Sequence, residues 1–199
     1  MDEGTFPRLL VARARRYRRR AIALREKEYG IWQEVTWEEY AAHVRTVCLG
    51  LVQLGLQRGD RMAVISGNRP QWLYTELAAQ SIGAIPLGIF VDALPGQLRS
   101  ILQHSQARFV MVEDQEQVDK VLGIRADLQL ERVVVDDTRG LETYCDPMII
   151  PLEEVERLGR DLDARQPGLY DELLGEGKPG DVALLAYTSG TTGAPKAAR

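Results

Sequence analysis

Nine consecutive residues near the end of the chain carry the densest chemistry: Thr188-Ser189-Gly190-Thr191-Thr192-Gly193-Ala194-Pro195-Lys196. Gly190 and Gly193 allow the backbone to turn sharply and approach a ligand closely. Successive backbone N–H groups in such a turn form a concave anion site. Thr188, Ser189, Thr191 and Thr192 add four hydroxyls, each able to donate to a phosphate oxygen or to offer a hard oxygen to a cation. Lys196 adds a mobile positive charge. These groups together suit a polyphosphate. They do not form a Walker A loop: Gly190 and Gly193 are too close, Lys196 follows Pro195 rather than glycine, and Ala197 stands where that motif needs Ser or Thr. On composition alone, a surface loop rich in Thr, Ser and Gly remains an equal alternative.

A loop of this kind must be delivered by a rigid element, and Val182-Ala183-Leu184-Leu185-Ala186-Tyr187 reads as a buried strand running straight into it. Upstream, short apolar strands alternate with amphipathic helices. Strands are expected at 61–65, 85–89, 109–112 and 132–135. Helices are expected at 70–82, 95–104 and 115–126. The spacing predicts an α/β fold with a mostly parallel sheet flanked by helices, its strand carboxyl ends, and any ligand, on one edge. A helix from Thr5-Phe6-Pro7 precedes a short N-terminal antiparallel hairpin turning at Tyr29-Gly30. Thr36-Trp37-Glu38-Glu39 reads as a capping box for a helix to about Leu54, ended by Gly55. From Asp136 to Pro179 the pattern weakens to a long surface connection with one short helix from Pro151.

The remaining features narrow the function classes. With 25 basic and 29 acidic residues the net charge is -4, which argues against wholesale nucleic-acid binding. Cys48 and Cys145, with only His43 and His104 for support, give neither a zinc pattern nor a disulfide framework and suit a reducing cytosol. His43 and His104 stand beside no nucleophile pattern and receive no catalytic role. The opening Met1-Asp2-Glu3-Gly4 lacks the order of a signal peptide, and no apolar run approaches the ~20 residues of a membrane span. Six arginines crowd positions 13–20. They read as a solvated helix end paired with acids, or as a contact for anionic lipid. Trp32, Trp37 and Trp72 read as packing residues. Asn68-Arg69-Pro70 reads either as an anion site at a helix start or as a cap with a surface arginine.

The order of residues in the loop adds more. Tyr187-Thr188-Ser189-Gly190-Thr191-Thr192-Gly193-Ala194-Pro195-Lys196 resembles the Y-T-S-G-T-T-G-x-P-K loop of the adenylate-forming superfamily, which includes AMP-forming acyl-CoA synthetases. The stretches 29–37, 67–72 and 113–120 look like those of bacterial long-chain fatty-acid-CoA ligases.

The resemblance implies that ATP, Mg2+, CoA and a fatty acid are the small molecules handled. It implies that Ser189, Gly190, Thr191, Thr192, Gly193 and Lys196 hold the β- and γ-phosphates, Lys196 being the catalytic group. Thr188 would be a cofactor-binding residue and the hydroxyl ligand to magnesium. It further implies that residues 1–199 are the N-terminal portion of a large AMP-binding domain, with 181–199 its strand and phosphate-binding loop. The adenine pocket, acyl tunnel and C-terminal domain of the family lie downstream, so the expectation is a fragment inactive alone. A free-standing, non-catalytic nucleotide-binding or partner-pairing module is the alternative. A cytoplasmic protein is expected, in peripheral contact with the inner membrane face. An exposed sheet edge and an uncovered apolar face would let it oligomerise. Ala197 departs from the family, where Gly is usual.

Overall fold

The computed structural model describes residues 4–188 and 196–198. Helix α1 (Phe6–Tyr17) leads through a short 3-10 turn, Arg18–Arg20, into a two-stranded antiparallel sheet of β1 (Ile22–Glu28) and β2 (Ile31–Thr36). Tyr29 (φ 47°) and Gly30 (φ 81°) make its tight turn, the primed geometry that matches strand twist. Helix α2 (Trp37–Gln53) starts on the expected capping box: the Glu39 amide donates to Thr36 Oγ1 at 3.3 Å, and the Thr36 amide donates to Glu39 Oε2 at 2.9 Å. Thr5, at the N-cap of α1, makes no such side-chain bond.

Strands β3 (Arg61–Ile65), β4 (Ile85–Ile89), β5 (Phe109–Val112) and β6 (Arg132–Val135) alternate with α3 (Pro70–Ile82), α4 (Pro95–Ser105) and α5 (Gln115–Leu122). Then follow β7 (Ile149–Pro151), α6 (Leu152–Arg165), α7 (Leu169–Glu176), β8 (Leu185–Thr188) and β9 (Lys196–Ala198). The main sheet runs β7-β6-β5-β3-β4-β8-β9, parallel except for β9. Successive residues of β3 go to opposite cores. Met62 and Val64 pack with α1, α2, α3, α6 and α7, whereas Ala63 and Ile65 pack with α4 and α5. That two-sided burial is why these strands read as continuous apolar runs.

Four expectations are corrected. The stretch Asp136–Pro179 is more than a connection with the one helix expected from Pro151, which is α6: it also holds β7 and a second helix, α7. Helix α6 lies so close to α2 that a Cβ at Gly159 would sit 1.8 Å from the Thr46 carbonyl oxygen. Glycine there permits the helix crossing rather than breaking the helix. Helix α5 stops at Leu122, and β8 begins at Leu185 rather than Val182. The uncovered apolar face is not found on β3, β5 or β6, whose apolar residues are buried on both sides; exposure grows toward the two edges, at β7, where Pro151 is open, and at β8, where Ala186 is open. Among the described residues no helix is long and apolar enough to cross a membrane.

Candidate functional site

Parallel strands β3, β4, β5, β6 and β8 all end on one edge of the sheet. Strand β8 pairs with β4 only through Leu87↔Leu185 and Gly88↔Ala186. The Trp72 ring packs over Gly88, where a Cβ would lie a tight 3.1 Å from it. Trp72 is thus a packing residue, as read from sequence, and so is Trp37, partly buried against the core. Trp32 is not: it stands 61% exposed on the hairpin. Beyond Ala186, β8 leaves β4 and continues two residues further against β9, with Tyr187 opposite Ala197 and Thr188 opposite Lys196. The backbone therefore brings together two of the expected site residues, Thr188 and Lys196. Ser189, Gly190, Thr191, Thr192 and Gly193 lie outside the described residues.

A side-chain tie holds the outgoing end of β8. Tyr187 Oη lies 2.8 Å from His104 Nδ1, and the rings meet edge to face with centroids 5.8 Å apart. His104 sits in the last turn of α4, so the tie runs from the helix to the residue before Thr188. Partial burial raises the Tyr187 phenol above its ordinary value and keeps it neutral. Sequence reading assigned His104 nothing. Its partner lies 83 positions away, and no local pattern signals the pairing.

Asn68-Arg69-Pro70, read as an anion site at a helix start or as a cap with a surface arginine, fits neither reading, because Arg69 is taken up by carboxylates. Arg69 occupies the N-cap position of α3 without a side-chain cap. Its guanidinium reaches Glu26 Oε1 at 3.1 Å, Asp136 Oδ2 at 3.6 Å and Glu113 Oε1 at 3.7 Å. Glu113 Oε2 in turn accepts the Gly67 amide at 2.7 Å. This hub pins the hairpin to the ends of β3, β5 and β6, and its positive charge is already neutralised. Burial pushes the Asp136 carboxyl up to about 6. His43 has a comparable structural role away from this edge, bonded to Glu156 at 2.7 Å and stacked on Tyr74.

Among the described residues no group of three His, Cys, Asp or Glu side chains is placed to hold a metal ion. A cation at this edge would depend on ligand phosphates and hydroxyl oxygens. Magnesium accepts that donor set, since it keeps much of its water and takes few protein ligands.

The comparisons agree with one another. The family model described as AMP-binding enzyme matches residues 10–198. Long-chain-fatty-acid--CoA ligase ACSBG1 of Bos taurus is 30% identical over 171 residues, covering 85% of this chain and 23% of the relative. Long-chain-fatty-acid--CoA ligase FadD15 of Mycobacterium bovis is 30% identical over 167 residues, covering 84% and 26%. The chain thus spans about a quarter of the length of these relatives. Among solved structures, the anthranilate CoA ligase AuaEII in complex with anthranoyl-AMP superposes with a TM-score of 0.73 at 25% identity, over 94% of this chain and 33% of that one.

Proposed function

This chain belongs to the AMP-binding enzyme family, and on that premise we propose that it is the triphosphate-holding part of an AMP-forming ligase that joins long-chain fatty acids to CoA. In that reaction a carboxylate oxygen attacks the α-phosphorus of ATP. The new bond gives acyl-AMP, and the bond to the β-phosphate oxygen breaks to release pyrophosphate. A CoA thiol then displaces AMP to give the thioester.

The observation that carries the reading is the antiparallel register of Thr188 against Lys196 at the ligand edge of a parallel sheet, closing the glycine- and hydroxyl-rich segment between them. Backbone N–H groups from Ser189 to Gly193 and the hydroxyls of Ser189, Thr191 and Thr192 donate to the β- and γ-phosphates. Lys196 opposes the charge that develops on the leaving pyrophosphate. Donors fixed in advance where charge develops are the strongest electrostatic aid to such a step. The Thr188 hydroxyl oxygen would hold magnesium, which when bound neutralises charge between neighbouring phosphates. The His104–Tyr187 tie fixes the stem of this hook.

The proposed setting is the cytoplasm with peripheral contact at a membrane face. Self-association through the β8–β9 edge belongs to the same reading. The test is ATP–pyrophosphate exchange in a chimaera that carries residues 1–199 in place of the matching segment of the mycobacterial relative. Exchange dependent on a long-chain fatty acid is expected. A folded chimaera that exchanges nothing contradicts the assignment.

A further inference from the structure

The end of α1 meets the start of α2, where the Tyr17 and Trp37 rings lie 6.1 Å apart. Helix α7 bridges the same pair further along. Arg8 of α1 donates to the carbonyls of Leu174, Gly175 and Gly177, each at 2.9 Å. Arg45 of α2 sits 5.3 Å over the Tyr170 ring. The two helices therefore lie side by side and run in opposite directions. Between them opens a groove of about 480 Å³ that α7 closes at one end.

On α1 the groove is lined by Val11, Ala14, Arg15 and Arg18, whose spacing of three and four puts them in one stripe. On α2, Glu38, Ala41, Ala42 and Arg45 repeat that spacing. Each stripe spans about 10 Å, or two helical turns. Val11 and the three alanines leave a shallow floor that the backbone of a third helix can approach, as in a bundle.

The charge of the groove is one-sided. Six of the 25 basic residues fall at positions 13–20, where no acid occurs. Arg19 makes a loose pair with Glu38 at 3.4 Å. Among the described residues, Arg13, Arg15, Arg16, Arg18 and Arg20 have no carboxylate within ion-pair distance. The acid-paired helix end expected from sequence thus holds for Arg19 alone. Arg45 is held by Asp163, whose carboxylate accepts two bonds at 2.6 and 2.9 Å. Of the acids in the lining, Glu38 is the partner of Arg19, and Asp171 acts on Arg45 at the α7 end. The positive charge left without a partner lies on the α1 wall, at exposed Arg15 and Arg18. The only ring in the lining, Tyr170, is buried, so the groove offers no exposed aromatic on which bases could stack.

We propose that the groove between α1 and α2 is a docking site for an acidic amphipathic helix of a partner protein, with small residues on the alanine floor and carboxylates over Arg15 and Arg18. This is helix-in-groove recognition, with the charges setting register and orientation. The proposal goes beyond the ligase reading and does not rest on it.

The experiment is fluorescence anisotropy of a labelled, stapled helix of alanine and glutamate binding to this chain at physiological salt, where exposed charges beyond about 8 Å are screened. In one peptide the glutamates flank an alanine ridge; in its isomer the same residues are spread around the helix. The ridged peptide should bind more tightly. Arg15→Gln with Arg18→Gln should weaken it by about 5-fold, whereas Arg16→Gln with Arg20→Gln, an equal loss of charge outside the groove lining, should change it by less than about 2-fold. Ala14→Leu with Ala42→Leu fills the floor without altering charge or helix propensity, and should weaken the ridged peptide by at least about 5-fold. Equal affinity for the two peptides, equal losses in the two arginine pairs, or full binding after the floor is filled would each overturn the proposal. So would displacement of the peptide by inorganic phosphate or by phosphatidylglycerol vesicles as effectively as by unlabelled peptide. A chain that is dimeric in light scattering, and monomeric once the floor is filled, would give the groove to a second copy and likewise overturn it.

Discussion

Thr188 and Lys196 face each other across the antiparallel ladder of β8 and β9, so the seven residues 189–195 begin and end at one point of the sheet edge. A loop closed at its base in this way holds its backbone amides near one position. Loop amides can then meet a polyphosphate with less ordering cost than a free chain would incur. Lys196 sits at that base. In the chimaera, Lys196→Ala should lower the ATP–pyrophosphate exchange rate by about 100-fold while leaving thermal unfolding unchanged. Unchanged exchange would remove Lys196 from its role.

The His104–Tyr187 tie takes over where the β4–β8 ladder stops at Ala186. One such hydrogen bond contributes about 1 kcal/mol. Amide hydrogen exchange at 186–188 should therefore quicken about 5-fold in His104→Ala, with β3 and β5 unaffected. His104→Gln, which keeps an acceptor, should restore protection. Equal protection in all three proteins would mean that the stem is held by other contacts.

Helix α6 crosses α2 at contact distance through Gly159 and Gly50; a Cβ at Gly50 would lie 2.0 Å from the Val155 carbonyl oxygen. The obstacle in both cases is backbone, which cannot swing aside. Gly159→Ala should cost about 3 kcal/mol in urea unfolding. A loss below about 0.5 kcal/mol, the scale of ordinary surface substitutions, would show that the crossing relaxes freely.

The Arg69 hub makes stability depend on pH through Asp136. Its folded-state pKa, pushed up to about 6 mainly by burial, lies above the ordinary 3.8. The native state therefore holds this proton more tightly than the unfolded chain does. The stabilisation is complete below about pH 4 and is lost as pH rises through about 6. Asp136→Asn, which cannot ionise, should gain stability relative to the parent over that window. The gain should level off near 1–2 kcal/mol after discounting for partial solvent screening. Denaturant unfolding of both proteins from pH 4 to 8 checks this; a difference that does not vary with pH contradicts it.

Much of this architecture was legible because both faces of the parallel strands are buried. Arg61–Ile65, Ile85–Ile89, Phe109–Val112 and Arg132–Val135 stand out as apolar runs, and the helices between them carry their own starts, such as Pro70 and the Thr36–Glu39 box. The misses have physical reasons. No local pattern shows that Gly159 lies against the Thr46 carbonyl, where α6 crosses α2. The eight-residue α7 is bracketed by Gly168 and Gly177 and buries little beyond Tyr170 and Leu174. Strand β9 is three residues long and exists through its pairing with β8. At the site, the order Tyr187 to Lys196 was sufficient to suggest a phosphate hook. The contacts at this edge of the sheet, His104 on Tyr187 and Arg69 among three carboxylates, join distant positions and leave no local trace.

The central claim is that the segment between Thr188 and Lys196 grips the phosphate tail of ATP. Its most direct test is an NMR titration of this chain, following the backbone amides of Thr188 to Lys196 against magnesium with inorganic triphosphate, ATP and AMP. Saturable shifts concentrated at Ser189 to Gly193 are expected with triphosphate and ATP, and none with AMP. Shifts that arise elsewhere, or an equal response to AMP, would contradict the account.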